Sequence, residues 1–268
     1  MDGKIVYFPI LPDREDLGSE RSDFVREWVD KYLISAGVVT LEEEKANAYL
    51  VATGDSGFMK AVRTKYDKKK IFFGINCGTV GFLLNPIMEI NMVPTDFSQI
   101  STISVKMIKA LFKLKSGEVK DFLAFNDVFC GRNIADYVTF DISGELTGFP
   151  NRIVQGNGII ISTPQGSTGF ILKALGSSSI LPLDTNTWKI GGVATGPYPN
   201  DLVMPQKIII KVKSRKPVNG YADGYAQEAE DIESVVIEPT DNKVSVAFLK
   251  NIDFEARRRD LAQKVERG

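Results

Sequence analysis

The sequence predicts an α/β protein: an N-terminal α/β domain on a parallel sheet, a C-terminal all-β domain, and a helix closing the chain. Three observations predict it. Before residue 118, short apolar runs of strand length alternate with segments of helical periodicity, the pattern of βαβ connections. After residue 119, β-rich runs follow one another, punctuated by Gly, Asn and Pro. Residues 253–266 then read as a helix again. The expected division is therefore 1–118, a β-rich domain over 119–252, and a helix in 253–268 returning to the first domain.

The elements follow in order. Residues 4–9 read as a short buried strand. Phe24, Val25, Trp28, Val29, Tyr32 and Leu33 recur at helical spacing over 22–36, with Ser22 placed to cap the start and Gly37 to end it. Ala48–Ala52 is a second strand and Ile71–Ile75 a third. Each runs into a glycine-rich turn: Thr53-Gly54-Asp55-Ser56-Gly57, opening a helix through Arg63, and Asn76-Cys77-Gly78-Thr79-Val80-Gly81. A helix is expected over 95–115 from the spacing of Ile103, Met107, Ile108, Leu111 and Leu114. Beyond it, strands are expected at Ala124–Cys130, Tyr137–Ile142, Gly158–Ser162, Lys207–Val212, Ser234–Glu238 and Val244–Leu249. The Arg257-Arg258-Arg259 run reads as a solvated face of the last helix.

Composition narrows the chemistry. With 33 basic and 34 acidic residues, the chain lacks the basic excess of a nucleic-acid binder. It has no histidine, which excludes Ser-His-Asp and Cys-His catalysis and His-ligated metals. A general base must then be a carboxylate or, failing that, a Lys, Tyr or Cys. Cys77 and Cys130 are too few for structural zinc and do not suggest a disulfide framework, so no protein metal site is expected. No apolar stretch reaches ~18 residues. The N-terminal segment lacks a basic region followed by an apolar one. The expectation is a cytoplasmic protein with no membrane contact.

Four motifs carry the functional signal. The Gly54-Asp55 turn stands at the carboxyl end of a strand and the start of a helix, where N–H groups and the helix dipole favour phosphate. Asp55 is open to two readings, helix N-cap or chemical group. The Asn76–Gly81 turn exposes amides around Gly78 and equally suits a structural turn. Asn126-Asp127 offers donors and acceptors for a purine edge or ribose hydroxyls, or a bend between domains. Gly156–Phe170 ends an apolar strand in a hydroxyl-rich loop, Ser162-Thr163-Pro164-Gln165-Gly166-Ser167-Thr168, with Phe170 available to stack.

In this order the four motifs resemble those of the NAD kinase family over residues 48–170, with fainter continuation at Ala174–Ser177, Val193-Ala194 and Ala222-Asp223-Gly224. That family carries Gly-Gly-Asp-Gly-Thr, Gly-Ile-Asn-x-Gly-x-x-Gly-Phe-Leu, an Asn-Glu pair, and Asp-Gly followed by Ser-Thr-Pro-Thr-Gly-Ser-Thr-Ala-Tyr. Lipid kinases and 6-phosphofructokinases share only the first turn. The resemblance implies transfer of the γ-phosphoryl of ATP, or of polyphosphate, to the adenosine ribose 2′-hydroxyl of NAD. Asp55 would be the base and Mg²⁺ would arrive with ATP. It implies phosphate contacts at Gly54, Ser56, Gly57, Asn76 and Gly78. It also implies NAD contacts at Asn126, Asp127, Asn157, Thr168, Gly169, Phe170 and Ala194, and a homodimer or homotetramer.

The departures from the pattern gather on the first turn. Thr53, Ser56 and Gly57 stand where the signature has Gly, Gly and Thr. Asn157 replaces Asp, Asp127 replaces Glu, and Phe170 lacks the tyrosine hydroxyl. A dinucleotide-binding protein without catalysis is the alternative these changes suggest.

Overall fold

The computed structural model describes residues 3–12, 19–86, 93–132, 137–146, 149, 151–175, 180–196, 199–224 and 228–267. Gly176 and Ser177 of the fainter resemblance lie outside them. The chain divides into two units, one of residues 1–105 with 243–265 and the other of 106–242 with 266–268. Two of the divisions fall inside long strands and the third inside the last helix. A strand running on through a boundary leaves no linker-like stretch to read.

The elements are β1 (Tyr7–Ile10), α1 (Ser19–Trp28), β2 (Ala48–Thr53), α2 (Asp55–Lys65), β3 (Ile71–Asn76), β4 (Ile100–Leu114), β5 (Val119–Ala124), β6 (Asp127–Gly131), β7 (Val138–Gly144) and β8 (Arg152–Gly156). They continue with β9 (Gly158–Ser162), α3 (Phe170–Leu175), β10 (Trp188–Val193), β11 (Asn200–Val203), β12 (Ile208–Lys213), β13 (Asn219–Ala222), β14 (Glu228–Ala229), β15 (Ile232–Leu249) and α4 (Phe254–Arg267).

In the first unit β1, β2 and β3 pair in parallel, and Ser245–Ala247 of β15 joins β3 in parallel. Every residue of β2 is buried, as expected of a parallel strand covered on both faces. Tyr7, Val29, Leu33, Leu50, Phe73 and Leu249 belong to one apolar cluster. Ser22 lies within α1 rather than capping it, and the helix passes into a π-helical turn at Val29–Ile34 before Gly37 ends it at φ +67°.

Over the described residues of 106–242 the second unit is β, with α3 and a short 3₁₀ turn at Gln165–Thr168. One sheet runs β11-β10-β9-β6-β13-β14, all antiparallel. The N-terminal part of β15 pairs β12, which pairs β7 and then β8, again antiparallel. The core includes Phe112, Phe140, Ile159, Ile161, Trp188, Ile210 and Val235.

Three expectations are corrected here. Residues 100–114 form a strand, not a helix. Their buried positions alternate, but the alternation changes phase at Met107–Ile108, both fully buried. That step mimics the three-and-four spacing of a helix. The single strand expected at Ala124–Cys130 is two, because Phe125-Asn126 interrupts the pairing. The two expected at Ser234–Glu238 and Val244–Leu249 are one, β15.

Candidate active site

In the first unit Gly54 is the N-cap of α2, with no side-chain cap, and Asp55 is the first helical residue. Asp55 is therefore not the N-cap. Its carboxylate turns instead to the loop after β3. Oδ2 accepts the Gly81 N–H at 2.9 Å and Oδ1 accepts the Leu83 N–H at 3.4 Å, and Phe82 contributes a further amide. Burial raises the Asp55 carboxyl above its usual pKa; the three amides and the Arg257 charge pull it back down without cancelling the rise.

The second glycine turn is knitted around Asn76. The Asn76 side chain accepts the Gly78 N–H at 3.0 Å and donates to the Val80 carbonyl at 3.1 Å. Gly81 has φ +75°, and a Cβ there would meet the Asn76 amide carbon at 2.3 Å, so only glycine fits. A Cβ on Gly78 would lie 3.0 Å from the Gly54 Cα, so the two glycine turns touch backbone to backbone. Asn76 is thus occupied in shaping the loop. Gly57 is buried against Thr53, whose Cβ is 2.8 Å from where a Gly57 Cβ would stand. Of the five residues expected to meet phosphate, Gly54, Ser56 and Gly78 remain at the helix start. Gly57 and Asn76 pack behind them.

In the second unit Asn126-Asp127 forms the turn into β6. A third residue organises it. The Asp223 carboxylate accepts the N–H groups of Phe125 at 2.8 Å, Asn126 at 2.6 Å and Asp127 at 3.2 Å. Asp223 takes a left-handed backbone (φ +53°) and its own N–H donates to the Asp127 carbonyl at 2.9 Å. Burial, and then the neighbouring Asp223 charge, push the Asp127 carboxyl up to about 8. With three amides on Asp223, the negative charge of the pair belongs there and the proton to Asp127.

The hydroxyls of the Ser162–Thr168 loop are all spent on backbone. Thr163 donates to the Phe125 and Asn126 carbonyls, Ser162 to Thr163, Ser167 to Pro164 and Thr168 to Gln165. The loop is a buried support for the Asn126 turn. Gly166 packs on the Asn126 carbonyl, where a Cβ would come within 2.1 Å. A Cβ on Gly169 would lie 3.6 Å from Asp127 Oδ2 and 3.7 Å from Asn126 Nδ2. Asn126, Asp127, Thr168 and Gly169 are thus together. Phe170 is half-exposed and meets Phe129 edge-on at 5.4 Å. Asn157 and Ala194 lie at the other end of β9, about 13 Å along the strand; the Asn157 N–H donates to the Val193 carbonyl at 2.8 Å.

The chain is similar to known proteins in sequence and in fold. NAD kinases of Rickettsia bellii and Rickettsia felis are 29% and 28% identical to this chain over 222 residues, 80% of this chain and 84% of theirs. The chain is similar to NAD kinases over four-fifths of its length. An NAD kinase of Archaeoglobus fulgidus, solved in complex with ATP, superposes with a TM-score of 0.64 over 97% of both chains at 17% identity, showing the same fold. No family model matches the chain. Against the signature the sequence resembles, Thr53 and Gly57 exchange the first and last letters, and the two positions share one space. A side chain fits at one of the two positions or the other.

Two residues were missed by the sequence reading. Asp223 was noted only within a tripeptide; its signal was an Asp-Gly pair closing a β-rich run. Arg257 was read as solvated. Its signal was the spacing of Phe254, Arg258 and Ala262, all buried four residues apart, which turns much of the arginine run inward.

Proposed function

We propose that this chain is an NAD kinase, transferring the γ-phosphoryl of ATP to the 2′-hydroxyl of the adenosine ribose of NAD. The observation that carries the reading is the Gly54-Asp55 turn. It holds a carboxylate beside an uncapped helix N-terminus, in a histidine-free chain akin to NAD kinases over 80% of its length. Asp55 accepts the proton of the 2′-hydroxyl as that oxygen bonds to the γ-phosphorus, and the bond to the β–γ bridging oxygen breaks to release ADP. Gly54, Ser56 and Gly78 offer backbone to the donor phosphates.

Asn126, Asp127, Thr168, Gly169, Phe170, Asn157 and Ala194 hold NAD in this reading. An un-ionised Asp127 supports it: the carboxyl donates a hydrogen bond and adds no negative charge where a dinucleotide diphosphate must bind. The separation along β9 suits an extended ligand. Among the described residues no group of three His, Cys, Asp or Glu side chains could hold a metal ion. Mg²⁺ enters in this reading as part of the Mg-ATP substrate, with ligands from phosphate and water. Among the described residues no helix is long and apolar enough to cross a membrane. The family resemblance carries with it a homodimer or homotetramer and a cytoplasmic location.

The test is NADP formation from NAD and Mg-ATP, read through an NADP-specific dehydrogenase, for wild type and Asp55→Asn. The reading expects turnover that falls roughly 10²–10⁴-fold in the variant. Undiminished turnover by Asp55→Asn would remove Asp55 from the base role, and binding of NAD without turnover by the wild type would leave a binding protein. Polyphosphate and NADH in parallel reactions identify the donor and acceptor.

A further inference from the structure

The geometry assigns Arg257 the role of positioning residue for Asp55, exerted through the Gly81–Leu84 turn. One guanidinium nitrogen, Nη1, donates to the Gly81 carbonyl at 2.9 Å and to the Leu84 carbonyl at 2.9 Å. The opposite side of the same turn presents the Gly81 and Leu83 N–H groups to the Asp55 carboxylate. The Gly81–Phe82 peptide therefore lies between a cation and an anion, its N–H towards Asp55 and its C=O towards Arg257. Hydrogen bonds arranged in such a chain polarise and strengthen one another.

The rest of the surroundings leave this task to Arg257. Residues 76–85 carry no charged side chain and one titratable group, Cys77, while β2 and β3 carry no charged side chain. On α4, Glu255 is engaged by Arg258 at 3.1 Å, and Arg259 is exposed. The charge acting on Asp55 is that of Arg257. The turn is otherwise fixed from one end by Asn76 and from the other by Asn85, which donates to Gly74 and Ala247 and accepts the Leu249 N–H. Arg257 adds a charged donor to the Gly81 carbonyl, which also accepts the Leu84 N–H at 3.4 Å.

Removing the guanidinium takes its hydrogen bonds from the Gly81 and Leu84 carbonyls and lets the turn shift, so the amides no longer aim at the carboxylate. Displacement of a catalytic group by about 1 Å costs up to roughly 100-fold in rate. Losing the facing cation also raises the Asp55 pKa, so the ionised base is lost at a higher pH on acidification.

The inference rests on Asp55 being the base of the proposed transfer, and the experiment separates the two. The pH dependence of kcat/KM for NADP formation is measured for wild type, Arg257→Met, Arg257→Gln, Arg257→Lys and Asp55→Asn, with unfolding midpoints for each. Arg257→Met is expected to lose roughly 10–100-fold in kcat, to keep its KM for NAD, and to move the acid limb to higher pH. Arg257→Lys, which keeps the charge, restores the limb but not the full rate. If Arg257→Met does not fold, Arg257→Gln against Arg257→Lys reads the same difference. A folded Arg257→Met or Arg257→Gln with wild-type kcat and acid limb, beside an inactive Asp55→Asn, overturns the positioning role alone. A fully active Asp55→Asn overturns the base assignment and this inference with it.

Discussion

Thr53 and Gly57 should behave as one unit, and the structure gives the size of the effect. A Cβ on Gly57 would stand 2.8 Å from Thr53 Cβ, 3.0 Å from its Cγ2 and 3.1 Å from its Oγ1. Carbon atoms normally approach to about 3.5–4 Å, so Gly57→Ala must push one element back by more than half an ångström. Thr53 cannot yield easily. It is β-branched and stiff at χ1, it is buried, its carbonyl accepts the Cys77 N–H at 2.9 Å, and its strand pairs along its length with β3. Overpacking of this kind costs roughly 1–3 kcal/mol. Replacing a helical Gly by Ala returns at most about 1 kcal/mol, and less in the first turn. Gly57→Ala is therefore expected to lose about 1–2 kcal/mol in a urea unfolding titration. Thr53→Ala should not relieve it, because the tightest contact is to Cβ. Thr53→Gly should, so Thr53→Gly with Gly57→Thr forms a compensating pair with a coupling energy of up to about 3 kcal/mol. Gly57→Ala as stable as wild type, or the two changes adding to within about 0.5 kcal/mol, would refute the reasoning.

Further outcomes follow from the same contacts. Gly81→Ala places a side chain at φ +75° and against Asn76, so both stability and turnover should fall; unfolding and NADP assays read them. Asp223→Ala strips the acceptor from three amides and should cost at least about 2 kcal/mol, with weaker NAD binding by calorimetry. Asp223→Asn should rescue it only partly, since its NH₂ group meets one of the N–H donors. The raised Asp127 pKa has a signed consequence. Its contribution to stability is fully present below the ordinary carboxyl pKa near 4 and is lost as pH rises through about 8. Asp127→Asn should therefore flatten the decline in unfolding midpoint across that interval, and an unchanged slope would place the titration elsewhere.

What the sequence made legible was local and repetitive. The strands after 48 and 71 were readable because parallel strands buried on both faces are continuous apolar runs, and the glycine turns after them mark their carboxyl ends. The β4 segment was misread because a phase change in a two-residue alternation imitates helical spacing. At the site, Asp55 and the Asn126-Asp127 turn were legible from residue type and order. Their partners were not. Asp223 is about a hundred residues from the amides it binds, and Arg257 more than 170 from the turn it holds. Only tertiary structure brings such pairs together. The composition of the hydroxyl-rich loop shows the presence of donors, not that backbone carbonyls take them.

The central claim is phosphoryl transfer to the 2′-hydroxyl of NAD with Asp55 as base. The most direct measurement is label transfer from [γ-³²P]ATP with Mg²⁺ and NAD, followed by chromatography of the dinucleotides. The account predicts label in NADP with the wild-type protein and its near-complete loss with Asp55→Asn. Label confined to ATP and inorganic phosphate with the wild type, despite NAD binding, would contradict it.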